Sequence, residues 1–479
     1  MTEGTASDIT VSAQEKPTFT RWLNILRADT ESFFVRYRDR LAWVHLIMFV
    51  AFVAMIAGPL FLLDPPEDAT PLTHFTTLTN FLIWGLWFPL VFLSVIFTGR
   101  SWCGVLCPMG AASEMANDYG LKRPIPNWMK WEGTPIVSFL FITVLGQTVG
   151  VRDHPEAIAE VFGGTMLAAI LIGYVYGQGR TKRPWCRHMC PIGLLLGVFS
   201  RLGAVQFAVK QPKPGDDRYQ ARGPCPTLID IPRKKESRHC IQCFRCVNPK
   251  SEGGLKLRFR RPGAEVENIR DHSPHGAEVW FFFLGTGAAL GGFLWLILPE
   301  YMQIRQWFAN WTLGNEWYWI GNPGPSWLMS VHPERREIFR WIDFFMIVGF
   351  MLGFMVAFAA VLTTTTSLSS WLAGRLGGDR NFKQRFIELG YQYAPVAMMS
   401  LIIGLGSELF EGLRLLGLES QLIGVAKGFL FFCALLWSLQ LGRKILIRQG
   451  TRNIWPPFLV GAIGSLFVGA AWWLAIFVT

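Results

Sequence analysis

Three of the nine cysteines form a run, Cys240-Ile-Gln-Cys243-Phe-Arg-Cys246. Thiolates at a spacing of three can wrap one corner of an iron–sulfur cubane, each reaching a different iron. Four thiolates also suit a tetrahedral zinc ion, although zinc sites usually take them as two well-separated Cys-x2-Cys pairs. A second pattern occurs twice. Arg100-Ser-Trp102-Cys103-Gly-Val-Leu-Cys107-Pro108-Met-Gly110 returns 83 residues later as Arg183-Pro-Trp185-Cys186-Arg-His-Met-Cys190-Pro191-Ile-Gly193. The shared pattern is Arg-x-Trp-Cys-x3-Cys-Pro-x-Gly. If each copy is helical, its two cysteines lie four residues apart on one face. Cys103, Cys107, Cys186 and Cys190 are therefore candidates for a second metal or cluster site, with a redox-active dithiol or a structural thiol group as alternatives.

The elements that must position these thiols are membrane helices. The 479 residues are 51% apolar and only 16% charged, with a mean hydropathy of +0.30, whereas soluble chains carry about a quarter charged residues. Disorder, collagen-like repeats and a small disulfide scaffold are excluded. A helical span needs about 20 apolar residues, and nine stretches qualify, at about 42–63, 80–98, 134–151, 159–177, 277–298, 342–363, 394–413, 422–441 and 457–478. The first lacks a small-residue cleavage site and follows a long polar stretch, so it reads as a retained span, not a signal peptide. With the N-terminus cytoplasmic, the inside segments 1–41, 99–133, 178–276, 364–393 and 442–456 hold 38 of the 45 Lys and Arg. Outside lie seven: Arg152, Arg305, Arg335, Arg336, Arg340, Arg414 and Lys427. The long 178–276 segment carries little weight in this rule, and without it the split is still 18 to seven. The net charge of +11 thus marks cytoplasmic loops, and no nucleic-acid partner is expected. An odd number of spans puts the C-terminus on the periplasmic side.

Eight of the nine cysteines fall in the cytoplasmic segments or at their helix junctions. A reducing cytosol disfavours disulfides, which points to metal ligands. Cys433, alone in the eighth span, is expected to be a small buried apolar residue. In bacterial ferredoxins the triple run continues x3-Cys-Pro, that last cysteine serving the other cluster. Here position 250 is Lys250, but Cys225-Pro226 stands upstream like the tail of a preceding motif. By the crossed-ligand rule Cys225 completes the set with Cys240, Cys243 and Cys246. With both Cys-x3-Cys-Pro motifs and Cys225-Pro-Thr-Leu-Ile-Asp-Ile ahead of the run, about 80–250 resembles the membrane-bound polyferredoxins. These include NapH-type subunits of periplasmic nitrate reduction, NosR-type activators of nitrous oxide reductase and CcoG-type oxidase assembly reductases. The chain departs from that pattern by carrying one complete cluster set, by showing no N-terminal flavin-binding domain, and by its further spans after 277. In length and layout it looks most like the polyferredoxin component of a four-part bacterial ferrous-iron uptake system of the Ftr type.

The other polar residues are weaker signals. His45 and His74 fall at opposite faces of the membrane and cannot share one haem. His188 lies inside the second cysteine repeat and His332 is a candidate contact for an outer metal or partner. Glu408, Glu411, Arg414 and Lys427 cluster near the outer ends of two spans, where ionisable groups are either structural or part of a polar path. Arg233, Lys234, Lys235, Arg238, Lys256, Arg258, Arg260 and Arg261 surround the triple run as a solvated face or a landing site for an acidic carrier. The Trp-rich outer loop 299–341 reads as an interfacial belt or as a docking surface. Gly287-x-x-x-Gly291 permits close helix packing.

The reading is an all-α polytopic membrane protein of about nine transmembrane helices with a small cytoplasmic ferredoxin-like segment. Its parts are a cytoplasmic segment 1–41, a four-helix membrane domain 42–203 holding both Cys-x3-Cys-Pro motifs, the ferredoxin-like segment 204–276, and a C-terminal membrane domain 277–479 of about five helices. One [4Fe–4S] cluster on Cys225, Cys240, Cys243 and Cys246 makes it an electron-transfer component of a bacterial inner membrane, not a stand-alone enzyme. The resemblance implies a cupredoxin-like periplasmic redox protein or an iron permease as partner, with a cytoplasmic electron carrier and iron uptake as the setting. One cytoplasmic cluster lies about 30 Å of hydrocarbon from the outer face, so a further carrier is required: the second cysteine site, quinone, or another group. Alternatives are an assembly factor reducing a metal for a respiratory metalloenzyme, and a solute transporter with a regulatory metal site.

Overall fold

The computed structural model describes residues 18–62, 65–66, 68–177, 182–210, 225–250 and 253–477. Residues 1–17 of the N-terminal segment, Asp64 of the first loop, and 211–224 and 251–252 of the ferredoxin-like segment lie outside the described residues. Among the described residues, eight helices are long and apolar enough to cross a membrane: Arg21–Phe61, Phe75–Thr98, Pro155–Val175, Gly276–Ile297, Trp341–Arg375, Phe382–Leu405, Ser420–Arg448 and Trp455–Phe477. The ninth expected span is the shorter apolar helix Thr134–Thr148. Strand among the described residues is confined to two antiparallel pairs, Val205–Val209 with Leu255–Phe259 and Val331–His332 with Glu337–Ile338. The chain is an all-α polytopic membrane protein.

Each copy of the cysteine motif follows a span that contains a turn of π-helix, Phe81–Trp87 before the first and Ala159–Gly163 before the second. Such widened turns are rare and concentrate where a helix must shape a site. Helix Thr134–Thr148 leads away from the cysteines and Pro155–Val175 returns to them, which places 149–154 at the opposite end of the bundle. The hairpin Val331–Ile338 shares that end, because Ser330 donates its backbone N–H to Thr148 O at 2.8 Å.

In the second half, helices Gly276–Ile297 and Trp341–Arg375 touch backbone to backbone. A Cβ at Gly287 would lie 2.6 Å from Phe354 O, and one at Gly291 would lie 3.1 Å from Met351 Cα; the small-residue spacing does what the sequence implied. Cys433 differs from expectation. It is exposed on helix Ser420–Arg448, on a face turned outward, where its weakly polar thiol costs little in a lipid environment.

The polar stretch before the first span is itself largely helix, Thr18–Tyr37, joined to Leu41–Ala57 through a single 3-10 turn at Arg38–Arg40. It folds against the extramembrane segment: Phe34 stacks on Phe244 at 4.0 Å, and Glu31 accepts the backbone N–H of Leu257 at 2.5 Å. Arg201 fastens the same segment to the second half. Its fully buried guanidinium meets Glu236 at 2.8 Å, Glu265 at 3.0 Å and Glu278 at 2.8 Å. Tyr391 donates to Glu278 at 2.8 Å. Burial alone would raise Glu265, but Arg201 and Arg260 hold its carboxyl down at about 2.

Candidate functional site

The cysteine repeat folds as two broken helices, not as two continuous ones. Helix Ser101–Val105 stops before Cys107, which N-caps helix Pro108–Asp118; helix Pro184–His188 stops before Cys190, which N-caps Pro191–Phe199. The expected i,i+4 pairs on one helix therefore do not exist. The reason is local: a residue before proline is pushed out of the α region, and both cysteines take extended backbone, with ψ of 113° and 118°. Their sulfurs then accept helix-start N–H groups, from Gly110 at 3.4 Å and from Gly193 at 3.1 Å. This arrangement aims each sulfur inward and supplies a donor that favours a negatively charged thiolate.

The two copies interlock. Arg100 of the first donates to the carbonyl of Cys186 at 3.3 Å, and Arg183 of the second donates to the carbonyl of Cys103 at 2.8 Å. Arg100 also points Nε at Cys103 Sγ, 3.4 Å away. The motif glycines leave room for this crossing: a Cβ at Gly193 would fall 2.8 Å from Arg100 Nη2, and one at Gly110 would fall 3.3 Å from Cys186 Sγ. As a result Cys103, Cys107, Cys186 and Cys190 line one apolar cavity together with Trp102, Trp185, Trp84 and Trp87. That cavity continues to Gln147 and Arg152 at the opposite end of the bundle. Burial and the neighbouring thiols push Cys107 up to about 12, while burial pushes Cys186 up to about 11. Such thiols ionise when they bond a cation or cluster.

Cys225, Cys240, Cys243 and Cys246 are gathered by tight turns instead. All four are buried, and Leu228, Gln242 and Phe244 between them adopt left-handed backbone with φ of 53°, 53° and 59°. Those turns aim backbone N–H groups at sulfur, from Ile229 to Cys225 at 3.4 Å and from Gln242 and Arg245 to Cys240 and Cys243. Burial pushes Cys243 up to about 11 and Cys246 well above its usual range. The four line one small apolar hollow. Among the described residues, the His, Cys, Asp or Glu ligand atoms that come within 4.8 Å of one another in a set of three belong to His154, Glu156 and His332, not to cysteines. A single zinc ion with bonds of about 2.3 Å would draw thiolates closer than that. The burial and the N–H donors suit thiolate ligands of a metal or cluster at each cysteine set.

The two sets adjoin. A Cβ at Gly104 would lie 2.2 Å from Ile241 O and 2.7 Å from Cys243 N, so glycine alone lets the first motif press against the triple run. Arg100 donates to Arg238 O at 2.6 Å. Glu114 lies between the sets, paired with Arg183 at 2.7 Å and with Arg245.

The basic residues around the run divide. Arg233, Lys235, Lys256, Arg258 and Arg261 are exposed, but Lys234 donates to Phe207 O at 2.7 Å, Arg238 and Arg260 are built into buried ion pairs with Glu278 and Glu265, and Arg238 also reaches the exposed Glu132. A wholly solvated basic face is thus not what forms. His45 faces a cleft that also holds Glu114, Cys243 and Arg245. His74 N-caps helix Phe75–Asn80. Burial and Arg187 lower His188 to about 4. Glu411 pairs with Arg414 at 3.0 Å and Lys427 at 3.4 Å, a structural use. Sequence reasoning missed Glu114, Arg201 and Glu278, and it quoted Arg100 and Arg183 without a role. Their place in the repeat was the available signal for those two arginines; isolated buried charges such as Arg201 leave none.

These features define the class: a polytopic membrane iron–sulfur protein. A family described as "4Fe-4S binding domain" matches residues 80–126 and 161–210, covering both copies of the cysteine motif and ending before Cys225. The chain is similar to the ferredoxin-type protein NapH of Escherichia coli, 24% identical over 34% of this chain and 62% of that one. It is also similar to protein NirI of Paracoccus denitrificans, 26% identical over 38% of this chain and 29% of that one. A third relative is the methylamine utilization ferredoxin-type protein MauN of Methylorubrum extorquens, 25% identical over 25% of this chain and 45% of that one. The chain thus spans less than two thirds of the length of each. No solved structure matches. Over the matched third the chain is thus similar to ferredoxin-type membrane proteins of the NapH kind, and it carries further apolar helices beyond it.

Proposed function

We propose that this protein carries electrons between the two ends of its helical bundle. In this reading Cys225, Cys240, Cys243 and Cys246 hold one [4Fe–4S] cluster, and Cys103, Cys107, Cys186 and Cys190 hold a second. When bound, such clusters supply one-electron oxidation and reduction. The observation that carries the reading is the juxtaposition: the triple run presses on Gly104, and the repeat opens onto a cavity reaching Arg152 at the far end. Arg100 and Arg183 fix both copies and place positive charge beside the thiolates. The apolar walls of Trp84, Trp87 and Trp102 exclude water from the site.

The cysteine end is assigned to the cytoplasm of a bacterial inner membrane by the distribution of Lys and Arg. A reporter active only outside should be silent after Lys210 and active after Trp327; activity at the first position reverses the direction. The central test uses anaerobic proteoliposomes with a reductant on one side and a trapped acceptor on the other. Cys107→Ala and Cys190→Ala should abolish transfer while the Cys225 set keeps its spectrum. Wild-type transfer in a variant lacking all four repeat thiols excludes the proposed route. A cupredoxin-like periplasmic redox protein or an iron permease is the partner that the resemblance to Ftr-type systems implies. Deleting the gene should then lower uptake of radioactive ferrous iron, and unchanged uptake excludes that setting.

A further inference from the structure

At the end of the bundle opposite the cysteines, His154, Glu156 and His332 bring one ligand atom each within 4.8 Å of one another. We propose that they form a binding site for one divalent first-row transition-metal ion. The inference does not rest on the cluster assignments, because none of its residues touches a cysteine.

The arrangement is built, not incidental. His154 is 3% exposed and N-caps helix Pro155–Ile158, whose first turn supplies Glu156. His332 comes from the hairpin Val331–Ile338 and lays its ring on that of His154, centroids 3.8 Å apart. Gly150, with φ of +65°, lets the chain turn this tightly: a Cβ there would sit 2.9 Å from His154 Cδ2. Behind the cluster, Glu337 accepts from Ser330 Oγ at 2.6 Å and meets His154 Nε2 at 3.1 Å. A carboxylate held on the far nitrogen of a histidine is the usual device for orienting a metal ligand and raising its basicity. With Nε2–H given to Glu337, the lone pair of His154 is on Nδ1, and the guanidinium of Arg335 rests against that atom at 2.7 Å. A cation thus already sits where a metal would bond.

Two imidazoles and one carboxylate are the donor set for borderline divalent ions such as Fe(II), Co(II) or Zn(II), with remaining positions left to water. Glu156 is exposed and His332 half-buried, so an ion can enter from the bundle's end. Its neighbour Arg152 lines the far end of the cavity that begins at the repeat cysteines.

The test is Mn(II) binding to the full-length, anaerobically purified, oxidised protein. It is read from loss of the six-line electron paramagnetic resonance spectrum of the free ion, a probe with little affinity for thiols. Wild type should remove about one Mn(II) per chain, and Zn(II) should displace it, following the usual affinity order. His332→Ala and Glu156→Gln should each weaken binding by at least about tenfold, in line with the loss seen even for outer partners of ligands. Both positions are accessible, and unchanged iron–sulfur absorption in each variant reports an intact fold. Arg335→Gln should tighten binding, a gain that misfolding cannot produce. Equal affinity in wild type, His332→Ala and Glu156→Gln overturns the site, as does Mn(II) that Zn(II) fails to displace.

Discussion

Cys103, Cys107, Cys186 and Cys190 reach one cavity from two copies of a motif 83 residues apart, whereas Cys225, Cys240, Cys243 and Cys246 are gathered by turns within one short segment. In the first set, the sulfurs of Cys107 and Cys190 are aimed by helix starts and each copy is pinned by the other copy's arginine. In the second, left-handed residues and backbone N–H groups do the aiming, and distant elements such as Phe34 only cover the result. The contrast teaches that similar ligand sets can depend on long-range assembly or on local chain geometry. The two should then fail in different ways.

The most severe way to separate them is to remove a ligand. Cys243→Ser should lower the content from about eight iron and eight sulfide per chain to about four of each, with the repeat set unaffected; loss of all iron would show that the sets form as one unit. Next comes Arg183→Gln, which leaves Glu114 buried with only the partly exposed Arg245 beside it. Breaking such a pair costs about 3–5 kcal/mol. The repeat set should lose iron on mild heating while the triple-run set keeps its absorption, and Glu114→Gln added to Arg183→Gln should recover part of the loss. Equal sensitivity of both sets would erase the contrast.

Gly104→Ala probes the contact between them. The new Cβ meets backbone, which cannot move aside as a side chain can, and overpacking of this kind costs about 1–3 kcal/mol. Both sets should shift in their spectra, whereas Gly110→Ala should disturb only the repeat set. The mildest change is Phe34→Leu, which removes the stack on Phe244. A loss of about 1 kcal/mol is expected, read as earlier thermal bleaching of the Cys225 set alone.

Much of this was legible in the residues. Among the described residues, the apolar stretches located the eight helices long enough to cross a membrane and the shorter apolar helix Thr134–Thr148, because a span's length and composition are set by the bilayer and not by its neighbours. The 83-residue repeat announced that Cys103, Cys107, Cys186 and Cys190 act together, and the structure brings them to one cavity. Of the conformations open to the backbone between them, the continuous helix is the one that fails, because Pro108 and Pro191 push the cysteines before them out of the α region. Arg201 could not have been found, since a buried network of Glu236, Glu265 and Glu278 around one arginine is assembled from four separate places in the chain. The helix Thr18–Tyr37 escaped notice because it is too polar to register as a span.

The crossing of Arg100 and Arg183 has a consequence beyond either cysteine set. Two equivalent halves that each grip the other are the hallmark of a twofold homodimer interface, where the same patch meets itself. Here both halves are tethered in one polypeptide, so their meeting is a first-order event that does not weaken as the protein is diluted in the bilayer. Tethering also frees the halves from identity: Gly104-Val105 in one copy is Arg187-His188 in the other. A homodimer could not make that substitution on one side alone, and it is on the Gly104 side that the triple run docks.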